Sequence, residues 1–281
     1  MPKVGGHVSA SGGVDNVFSN IEKIHGEAFQ FFLGPPQMWV KSVKGEEEIQ
    51  RFRKRAIETG ISESFIHGTY LINLGTQNPE HLQKSIDWLV YALNTAADLE
   101  VKGVIFHLGS HKGLGFDHVL PQVVASLKQI LEQSKTGSYL LLENTAGAGG
   151  NIGSTFKQLG TILKQVQNDR LKICVDTQHA FAAGIDIKTK EGLEAAILEF
   201  EDEIGLEQLM AFHCNDSKTE FGSGRDRHEN IGAGFIGKEA FENMIQHPKL
   251  NNVPFILEVP GIDQKSGPDL ENINILKSFR K

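Results

Sequence analysis

The sequence predicts an α/β protein built as a closed (β/α)₈ barrel of the TIM-barrel type, in one domain spanning residues 1–281. Three observations lead to this prediction. Short β-rich apolar runs alternate with amphipathic helical segments along the chain. The length is typical of eight such units, and neither a Pro/Gly-rich linker nor a break in composition divides it. Residues able to carry chemistry follow most of the apolar runs, and a barrel gathers its active site at that end of its strands.

Eight apolar runs are expected to be the barrel strands, because each is short and rich in β-branched or aromatic residues. They cover residues 3–10, 28–33, 64–68, 103–109, 139–145, 171–177, 209–215 and 254–260. Apolar residues recur at helical spacing in the segments 46–59, 79–100, 116–133, 191–204, 238–246 and 269–279. Each strand is therefore expected to be followed by a helix, with the strands parallel.

A doubly wound open sheet is the structural alternative for this alternation. Such a sheet would concentrate its functional residues near one switch point between strands. Here they follow six different strands, which favours a closed barrel with long loops on its carboxyl-terminal face.

Charge and composition limit the class of protein. The formal net charge of −7 argues against a nucleic-acid binder that works through a basic surface alone. The sequence has no apolar run of about 18 residues, and its start lacks the charged and apolar regions of a signal peptide. Cys174 and Cys214 lack the spacing of a thiolate zinc motif and are expected to be buried, reduced thiols. We expect a cytoplasmic protein that does not bind membranes.

Nine histidine and acidic residues lie at or just beyond the ends of six apolar runs. They are His67, His107, Glu143, Asp176, His179, His213, Asp226, His228 and Glu258. Imidazole and carboxylate groups are the ligands that zinc and similar divalent metals take when thiolates are absent. A carboxylate at the end of an apolar strand is costly to bury unless a positive charge meets it. This common placement predicts a polynuclear metal site.

The spacing of these residues indicates how they share the ions. Asp176 and His179 lie at a strand end and on the following turn, close enough to serve adjacent metals. Asp226 and His228 are two residues apart, so an extended loop points both side chains the same way, with His179 as a natural third ligand. Glu143 and Glu258 each end a very apolar strand, and bridging two cations is the role that best offsets their desolvation.

The other histidines are expected to be structural, and His111 is expected to be at most a substrate contact. The structural set is His7, His25, His81, His118 and His247, of which His7 also lies in a barrel strand. Glycine-rich loops are expected at 145–153 and 216–235. The first lacks the third glycine of a dinucleotide-binding motif, since Ile152 stands there, so we interpret it as backbone that passes close to a ligand.

Assembled in order, these segments resemble the endonuclease IV family of DNA-repair nucleases that act at abasic sites. The resemblance covers essentially the whole length through GGHVSASGGVDN, HGTYLINLGT, FHLGSHKG, LLENTAGAGGNIG, CVDTQHAFAAGID, HCNDSK, GSGRDRHENIGAG and ILEVPG. The ENTAG, DTQHAFAAG, HCNDSK and DRHENIG blocks are highly specific in combination. All nine ligand positions of the family match here without substitution.

The resemblance implies a trinuclear zinc centre on a TIM barrel, with Mn²⁺ possible at some positions. It implies a first zinc on His67, His107 and Glu143. A second zinc would be held by Glu143 as a bridge, with Asp176, His213 and Glu258. The third zinc would be held by His179, Asp226 and His228.

The implied reaction is hydrolysis of the phosphodiester 5′ to an abasic site in double-stranded DNA. Glu143 is the implied catalytic residue, as the bridging carboxylate that positions the attacking hydroxide. The products would be a 3′-hydroxyl end and a 5′-deoxyribose phosphate, and 3′-phosphates and related blocks would be removed by the same route. We expect a monomer, because such an enzyme must straddle a bent duplex.

Loops at the barrel mouth are expected to bind the damaged DNA. Tyr70 matches a position that intrudes into the duplex in the family. Gln37 stands where the family typically carries an arginine, which puts its contribution to DNA insertion in question. Phosphate contacts are expected from Lys112, Lys218, Arg225 and Arg227.

Two other functions are compatible with parts of this pattern. A metal-dependent sugar isomerase or epimerase of the xylose-isomerase type shares the barrel and the kinds of ligand, but has no evident use for the third set of ligands. A DNA-binding protein without catalysis would have no use for nine metal-ligating groups.

Overall fold

Eight parallel strands form a closed barrel, as the sequence predicts. The structure is a computed structural model that describes residues 1–42 and 44–280; Val43 and Lys281 of the predicted domain lie outside the described residues. The barrel strands are β1 Val4–His7, β2 Ala28–Phe32, β3 Glu63–His67, β4 Gly103–His107, β5 Tyr139–Glu143, β6 Leu171–Asp176, β7 Leu209–His213 and β10 Phe255–Leu257. Two short strands, β8 Asp216–Ser217 and β9 His228–Glu229, form a separate antiparallel ribbon.

Neighbouring strands follow the order β1, β10, β7, β6, β5, β4, β3, β2, and β2 pairs with β1 to close the ring. The pairing register brings the carboxyl ends of adjacent strands level. His107 on β4 lies opposite Glu143 on β5, and Asp176 on β6 lies opposite His213 on β7. Polar residues that are far apart in the sequence therefore meet at one end of the barrel.

The barrel interior is filled by one cluster of buried apolar side chains. Its members are Ala28, Phe65, Ile105, Leu141, Cys174, Ala211 and Ile256, one from each strand except β1. On β1 the space is occupied by backbone: a Cβ on Gly5 would lie 1.6 Å from the carbonyl oxygen of Ala28, so only glycine fits there. Because strand side chains alternate with period two, the inward position above this cluster is two residues further along each strand.

Helices pack around the barrel and bury the outer faces of the strands in a second apolar layer. They are α1 Asn16–Lys23, α2 Glu46–Thr59, α3 Pro79–Leu99, α4 Phe116–Gln133, α5 Phe156–Val166, α6 Thr177–Ala183, α7 Lys190–Glu203, α8 Lys238–Gln246 and α9 Leu270–Ser278. Short 3₁₀ turns occupy Ala148–Gly150, Leu206–Gln208 and Pro248–Leu250. Among residues 1–42 and 44–280, no helix is both long enough and apolar enough to cross a membrane.

The structure differs from the predicted elements in two respects. Five expected strands end two or three residues early, because the residues that follow turn into the mouth loops: 3–10 ends at His7, 103–109 at His107, 139–145 at Glu143, 209–215 at His213 and 254–260 at Leu257. One helix per strand is wrong for β6, which is followed by α6 and α7. The short helix α6 is needed because Asp176 ends β6 and at once caps the next turn, with its Oδ1 accepting from the His179 amide at 2.8 Å.

Candidate metal centre

The barrel mouth holds all of the predicted ligand residues. Six of them lie two residues beyond a member of the interior cluster: His67, His107, Glu143, Asp176 and His213 end their strands, and Glu258 directly follows β10. His179 enters from the first turn of α6, and Asp226 and His228 enter from the loop that contains the β8–β9 ribbon. Side chains alternate in direction along a strand, so the residues two positions after the apolar interior layer also point inward. The polar groups therefore form the next layer, at the barrel mouth.

Glu143 is the centre of this arrangement and is completely buried. Its Oε2 lies 3.1 Å from His67 Nε2 and 3.6 Å from His107 Nε2. Its Oε1 lies 3.0 Å from His213 Nδ1 and 3.3 Å from His179 Nδ1. Each carboxylate oxygen thus faces two imidazoles, so a cation bound at either oxygen would have histidine nitrogens within reach.

The protonation of the cluster is set by opposed effects. Burial alone would raise the pKa of Glu143, but the surrounding imidazoles, His107 and His213 foremost, hold that pKa well below its usual range. Burial lowers the pKa of His179, and the charge of Asp176 together with a hydrogen bond to Asp226 more than offsets this, so the pKa of His179 lies well above its usual range. Protons on the imidazoles therefore balance buried carboxylates, and divalent cations would displace those protons.

Two groups of donor atoms match the predicted first and second ion sets. The donor atoms of His67, His107 and Glu143 lie within 4.8 Å of one another. Those of Glu143, Asp176, His213 and Glu258 form a second such group. Glu143 belongs to both groups, as a bridging ligand must.

The third set differs in its carboxylate. Asp226 lies 3.3 Å from His179 Nε2 and 3.4 Å from His228 Nε2 through its two oxygens. The donor atoms that fall within 4.8 Å of one another, however, are those of Asp176, His179 and His228. Asp226 lies on a loop with 59% of its side chain exposed, whereas Asp176 is buried and held as the helix cap. The role of Asp226 in the third set stays a prediction. Asp176 belongs to two groups of neighbouring donor atoms, one with Glu143, His213 and Glu258 and one with His179 and His228.

Three of the histidines are oriented through their second ring nitrogen. The Nδ1 atoms of His67, His179 and His228 lie 2.7, 3.0 and 3.2 Å from backbone carbonyl oxygens, those of Gly68, Asn144 and Glu258. In the neutral ring, a donated Nδ1–H at each carbonyl leaves the lone pair of Nε2 directed at the cluster and free to bind a cation. Such a fixed tautomer is typical of metal-ligating histidines.

The donor set fits divalent metal ions on a further observation. His228 Nε2 is buried, has no hydrogen-bond partner in the described part of the chain, and lies 3.4 Å from Asp226 Oδ1 and 3.6 Å from Asp176 Oδ2. A buried polar atom without a partner is costly, and a bound cation is one way to satisfy it. Imidazoles and carboxylates without thiolates suit zinc and also Mn²⁺.

Comparison with known proteins agrees with this geometry. Residues 18–279 match the family described as xylose isomerase-like TIM barrel. A probable endonuclease 4 of Campylobacter hominis is 38% identical over 285 residues, which cover 100% of this chain and 99% of the relative. The crystal structure of endonuclease IV from Thermus thermophilus superposes with a TM-score of 0.87 at 30% identity, covering 99% of this chain and 98% of that one. The chain belongs to the endonuclease IV family.

Membership of the endonuclease IV family confirms the predicted family and TIM-barrel fold and supports a nuclease of DNA repair. A D-tagatose 3-epimerase-like protein also superposes, with a TM-score of 0.74 at 20% identity, covering 99% of this chain and 96% of that one. At that identity the likeness shows the fold alone.

Sequence reasoning missed two residues of this endonuclease IV centre. His7, expected to be structural, lies at the mouth, with Nδ1 3.7 Å from Glu258 Oε1. Gln30 is completely buried and lies 2.7 Å from the same oxygen through Nε2. The available signal was a glutamine in the middle of the apolar strand AFQFF, two residues after the inward-facing Ala28.

Histidines outside the centre are predicted to be structural or, for His111, at most a substrate contact. His81 and His247 bond to Leu71 O and Glu194 outside the centre, as expected of structural residues. His111 holds its own loop, because its Nδ1 accepts from the backbone of residues 113 and 115. The loop 145–153 passes close to His111, since a Cβ on Gly150 would lie 2.6 Å from that ring, and its approach to a ligand stays a prediction. Cys174 and Cys214 are buried free thiols, as predicted.

An open groove of about 1440 Å³ leads away from the predicted ligand residues. His67, His107, His179 and Glu258 line its inner end, and its wall continues along residues 8–14 and 32–35 to Lys44 and Arg51. Tyr70 stands at the inner end with 58% of its surface exposed. Desolvation of its hydroxyl, with the charges of Glu258 and Glu143, raises the pKa of Tyr70 to about 12, so it keeps its proton at neutral pH.

The remaining residues expected to contact DNA are exposed on loops that follow barrel strands. They are Gln37, Lys112, Lys218, Arg225 and Arg227. Lys218 is already engaged, with Nζ 2.9 Å from Gln264 Oε1 and 3.9 Å from Glu229 Oε2. Arg227 donates to the carbonyl oxygen of Asp226 at 2.6 Å. Their contact with DNA stays a prediction.

Proposed function

We propose that the protein is a metal-dependent endonuclease that hydrolyses the phosphodiester 5′ to abasic sites in double-stranded DNA. The observation that carries the proposal is the convergence of four imidazoles on the two oxygens of the buried Glu143, inside a chain of the endonuclease IV family. In this reaction the oxygen of water joins phosphorus and the bond to the 3′-oxygen breaks. The products are a 3′-hydroxyl end and a 5′-deoxyribose phosphate, and 3′-phosphates and related 3′ blocks are removed in the same way.

The residues described above would hold three zinc ions, the first two sharing Glu143. Asp226 completes the third set with His179 and His228 in this proposal. When bound, such ions lower the pKa of coordinated water and neutralise charge on phosphate. Because the chain supplies four carboxylates and five imidazoles here, it needs no thiolate and no organic cofactor.

The chain's own groups do the positioning. Glu143 is buried and held by four imidazoles, so its two oxygens keep their directions as substrate arrives. The ionised carboxylates hold the histidines in place through their contacts. A protonated Tyr70 at the groove wall offers an O–H donor and an apolar ring to DNA that enters from the groove.

The experiment that tests this function is incision of an end-labelled duplex that carries one stable tetrahydrofuran abasic analogue. We expect one cut 5′ to the analogue, with a 3′ end that a DNA polymerase extends directly. The undamaged duplex of the same sequence is the matched control and should stay intact. Zinc content is measured on the same sample, and prolonged chelation should remove both metal and activity until zinc is restored.

Failure of the protein to cut, while it holds about three equivalents of zinc, would contradict the proposal. Epimerisation of a ketohexose by that same sample would then identify a sugar-modifying enzyme on this barrel.

A further inference from the structure

Gln30 lies on β2, a strand that supplies none of the nine ligand residues. Its side chain is completely buried at the barrel mouth, two residues beyond Ala28 of the interior cluster. A buried amide is costly unless its donors and acceptor are satisfied. The contacts that satisfy Gln30 are therefore informative about its role.

The Gln30 amide reaches three side chains, His7 on β1, His213 on β7 and Glu258 just after β10. Its Nε2 lies 2.7 Å from Glu258 Oε1 and 3.0 Å from His7 Nδ1, and its Oε1 lies 2.8 Å from His213 Nε2. An ionised carboxylate only accepts hydrogen bonds, so the NH₂ group must face Glu258. The carbonyl oxygen then necessarily faces His213. Both N–H bonds and the acceptor of this amide are used.

This orientation determines the tautomer of His213. Gln30 Oε1 can only accept, so His213 Nε2 carries the proton. In the neutral ring Nδ1 then carries the free lone pair that can bind a cation. Nδ1 is also the atom that lies 3.0 Å from Glu143 Oε1 and 3.2 Å from Glu258 Oε2. One hydrogen bond thus decides which nitrogen of His213 faces a cation.

The same amide fixes the carboxylate of Glu258. The Gln30 Nε2 group donates to Oε1 of Glu258, and Oε2 of Glu258 then faces His213 Nδ1. The backbone of Glu258 is held independently, because its N–H donates to Asn215 Oδ1 at 2.7 Å. His213 and Glu258 both belong to the four-residue group with Glu143 and Asp176. A single side chain therefore sets half of the ligands of one ion position.

We propose that Gln30 is a positioning residue that sets the retention of the ion held by Glu143, Asp176, His213 and Glu258. It touches no reacting atom and acts through the tautomer of His213 and the orientation of Glu258. The inference rests on the proposed function only for its effect on DNA incision. The metal retention that it predicts is measured without DNA.

The test compares Gln30→Met with the unaltered protein. Methionine has a similar volume and can neither donate to Glu258 nor accept from His213. We expect the variant to lose about one zinc equivalent to a chelator, with an affinity about 10- to 100-fold weaker at that position. The rise in Tm when zinc is added to chelator-treated protein should be smaller. Saturating zinc should restore kcat for incision without a change in KM for DNA.

Gln122→Met is the matched control. Gln122 also uses Nε2 for two hydrogen bonds, to Leu74 O and Thr76 O at 2.8 and 2.9 Å, on the outer helix α4. This control should lower the Tm of zinc-free and zinc-loaded protein equally and keep the full zinc content. The same behaviour in Gln30→Met would overturn the positioning role, because it would mean that Gln30 only fills space.

Should Gln30→Met fail to fold, Gln30→Glu gives the same test with the shape preserved. A carboxylate there still accepts from His213 but faces the Glu258 carboxylate without a donor, so we expect zinc loss from the same position. Full zinc retention by folded Gln30→Glu would equally overturn the proposal. Absence of incision by the unaltered protein would overturn the proposed function alone, since zinc retention is read separately.

Discussion

At the scale of single residues, the burial of Glu143 is tolerable only in its present surroundings. Its carboxylate has no exposed surface and is met by imidazoles at 3.0 to 3.6 Å on both oxygens. Replacement by an amide keeps the shape and removes the charge that two cations would share. The loss should therefore fall on metal-dependent chemistry.

We predict that Glu143→Gln lowers incision at an abasic analogue at least about a thousandfold, which is about 4 kcal/mol of activation free energy. Binding to the same duplex should weaken only modestly, because the mouth loops are unaltered. Single-turnover incision and a filter-binding titration measure the two effects. Glu194→Gln, an exposed residue paired with His247, is the control and should leave both unchanged. Full turnover by Glu143→Gln would mean that the carboxylate does not bridge.

Asp216 is a second buried carboxylate, and its role is structural. Its oxygens accept from the backbone N–H groups of Gly232, Gly234 and Ile236 at 2.9 to 3.0 Å. It thereby shapes the loop that follows His228. Removing it would leave several buried donors without a partner.

We predict that Asp216→Ala lowers the free energy of unfolding by about 3 kcal/mol or more, from the cost of orphaned buried N–H groups. Urea denaturation of chelator-treated protein measures this without a contribution from metals. Asp263→Ala is the control: Asp263 accepts similar backbone bonds from residues 265 and 266, but at an exposed turn. Equal effects from the two substitutions would show that burial of the Asp216 bonds does not matter.

At the scale of elements, the Asn144 side chain joins the ends of β5 and β6. It replaces the backbone hydrogen bonds that pair the two strands further back. Asn144 Oδ1 accepts from the Asp176 N–H at 2.6 Å, and Asn144 Nδ2 donates to the Asp176 carbonyl at 3.1 Å. The backbone carbonyl of Asn144 also lies 3.0 Å from His179 Nδ1. This amide continues the sheet pairing just where the strands diverge into ligand-bearing loops.

We predict that Asn144→Ala lowers the free energy of unfolding by about 2 to 3 kcal/mol, since two buried backbone groups lose their partners. It should also release zinc to a chelator faster, because Asp176 and Glu143 lose their relative position. Asn94→Ala, which removes a bond to the Lys135 amide between outer elements, should lower stability less and keep zinc release unchanged. Calorimetry and a colorimetric zinc assay distinguish the two. Equal zinc release from both variants would contradict the role assigned to Asn144.

The strands and the gathering of the nine polar residues at one barrel end were predictable from the sequence because one periodicity governs both. The apolar Leu141 and the polar Glu143 share a strand face, and the same is true of Ala211 and His213. Gln30 could not be placed by the same logic, because a lone glutamine in an apolar strand is informative only once its neighbours across the barrel are known. Closure of the barrel brings Gln30 on β2 to within 2.7 Å of Glu258. The local sequence pattern around Gln30 cannot predict this contact, because Glu258 lies near the other end of the chain.

The proximity of Asp176 to the third set was unpredictable for a related reason. The sequence spacing of Asp226 and His228 indicates a chelating pair, and the structure does bring Asp226 beside His228. Asp176 approaches His228 to 3.6 Å only because the β8–β9 ribbon folds back over the end of β6. The loop 216–235 looks structureless in sequence, since Asp216 organises it through backbone groups that no side-chain pattern reveals.

At the scale of the whole molecule, the two ends of the chain meet at Glu27, just before β2. The carboxylate of Glu27 accepts from the Val4 N–H at 3.1 Å and from Arg280 Nη1 at 3.0 Å. Lys277 on α9 lies 3.2 Å from the same group. This cluster joins the first strand to the last helix at the seam where the barrel closes, far along the chain from the ligand residues.

Burial raises the pKa of Glu27, but hydrogen bonds from Arg280 and Val4 outweigh this and lower it to about 2 in the folded protein. Because the folded pKa lies below the ordinary value near 4.5, the stabilisation is complete above about pH 4.5 and is lost as the pH falls towards 2.

We predict that Glu27→Gln lowers the free energy of unfolding at pH 7 by about 1 kcal/mol, allowing for partial exposure. The difference in Tm from the unaltered protein should shrink steadily below pH 4.5. Chelator-treated samples are required, since acid also displaces metals from histidines. Glu80→Gln removes only an exposed pair with Lys84 and should leave Tm unchanged across the range. A Tm difference for Glu27→Gln that stays constant down to about pH 2.5 would mean that the seam is held by packing of α9 on β1 rather than by the charge of Glu27.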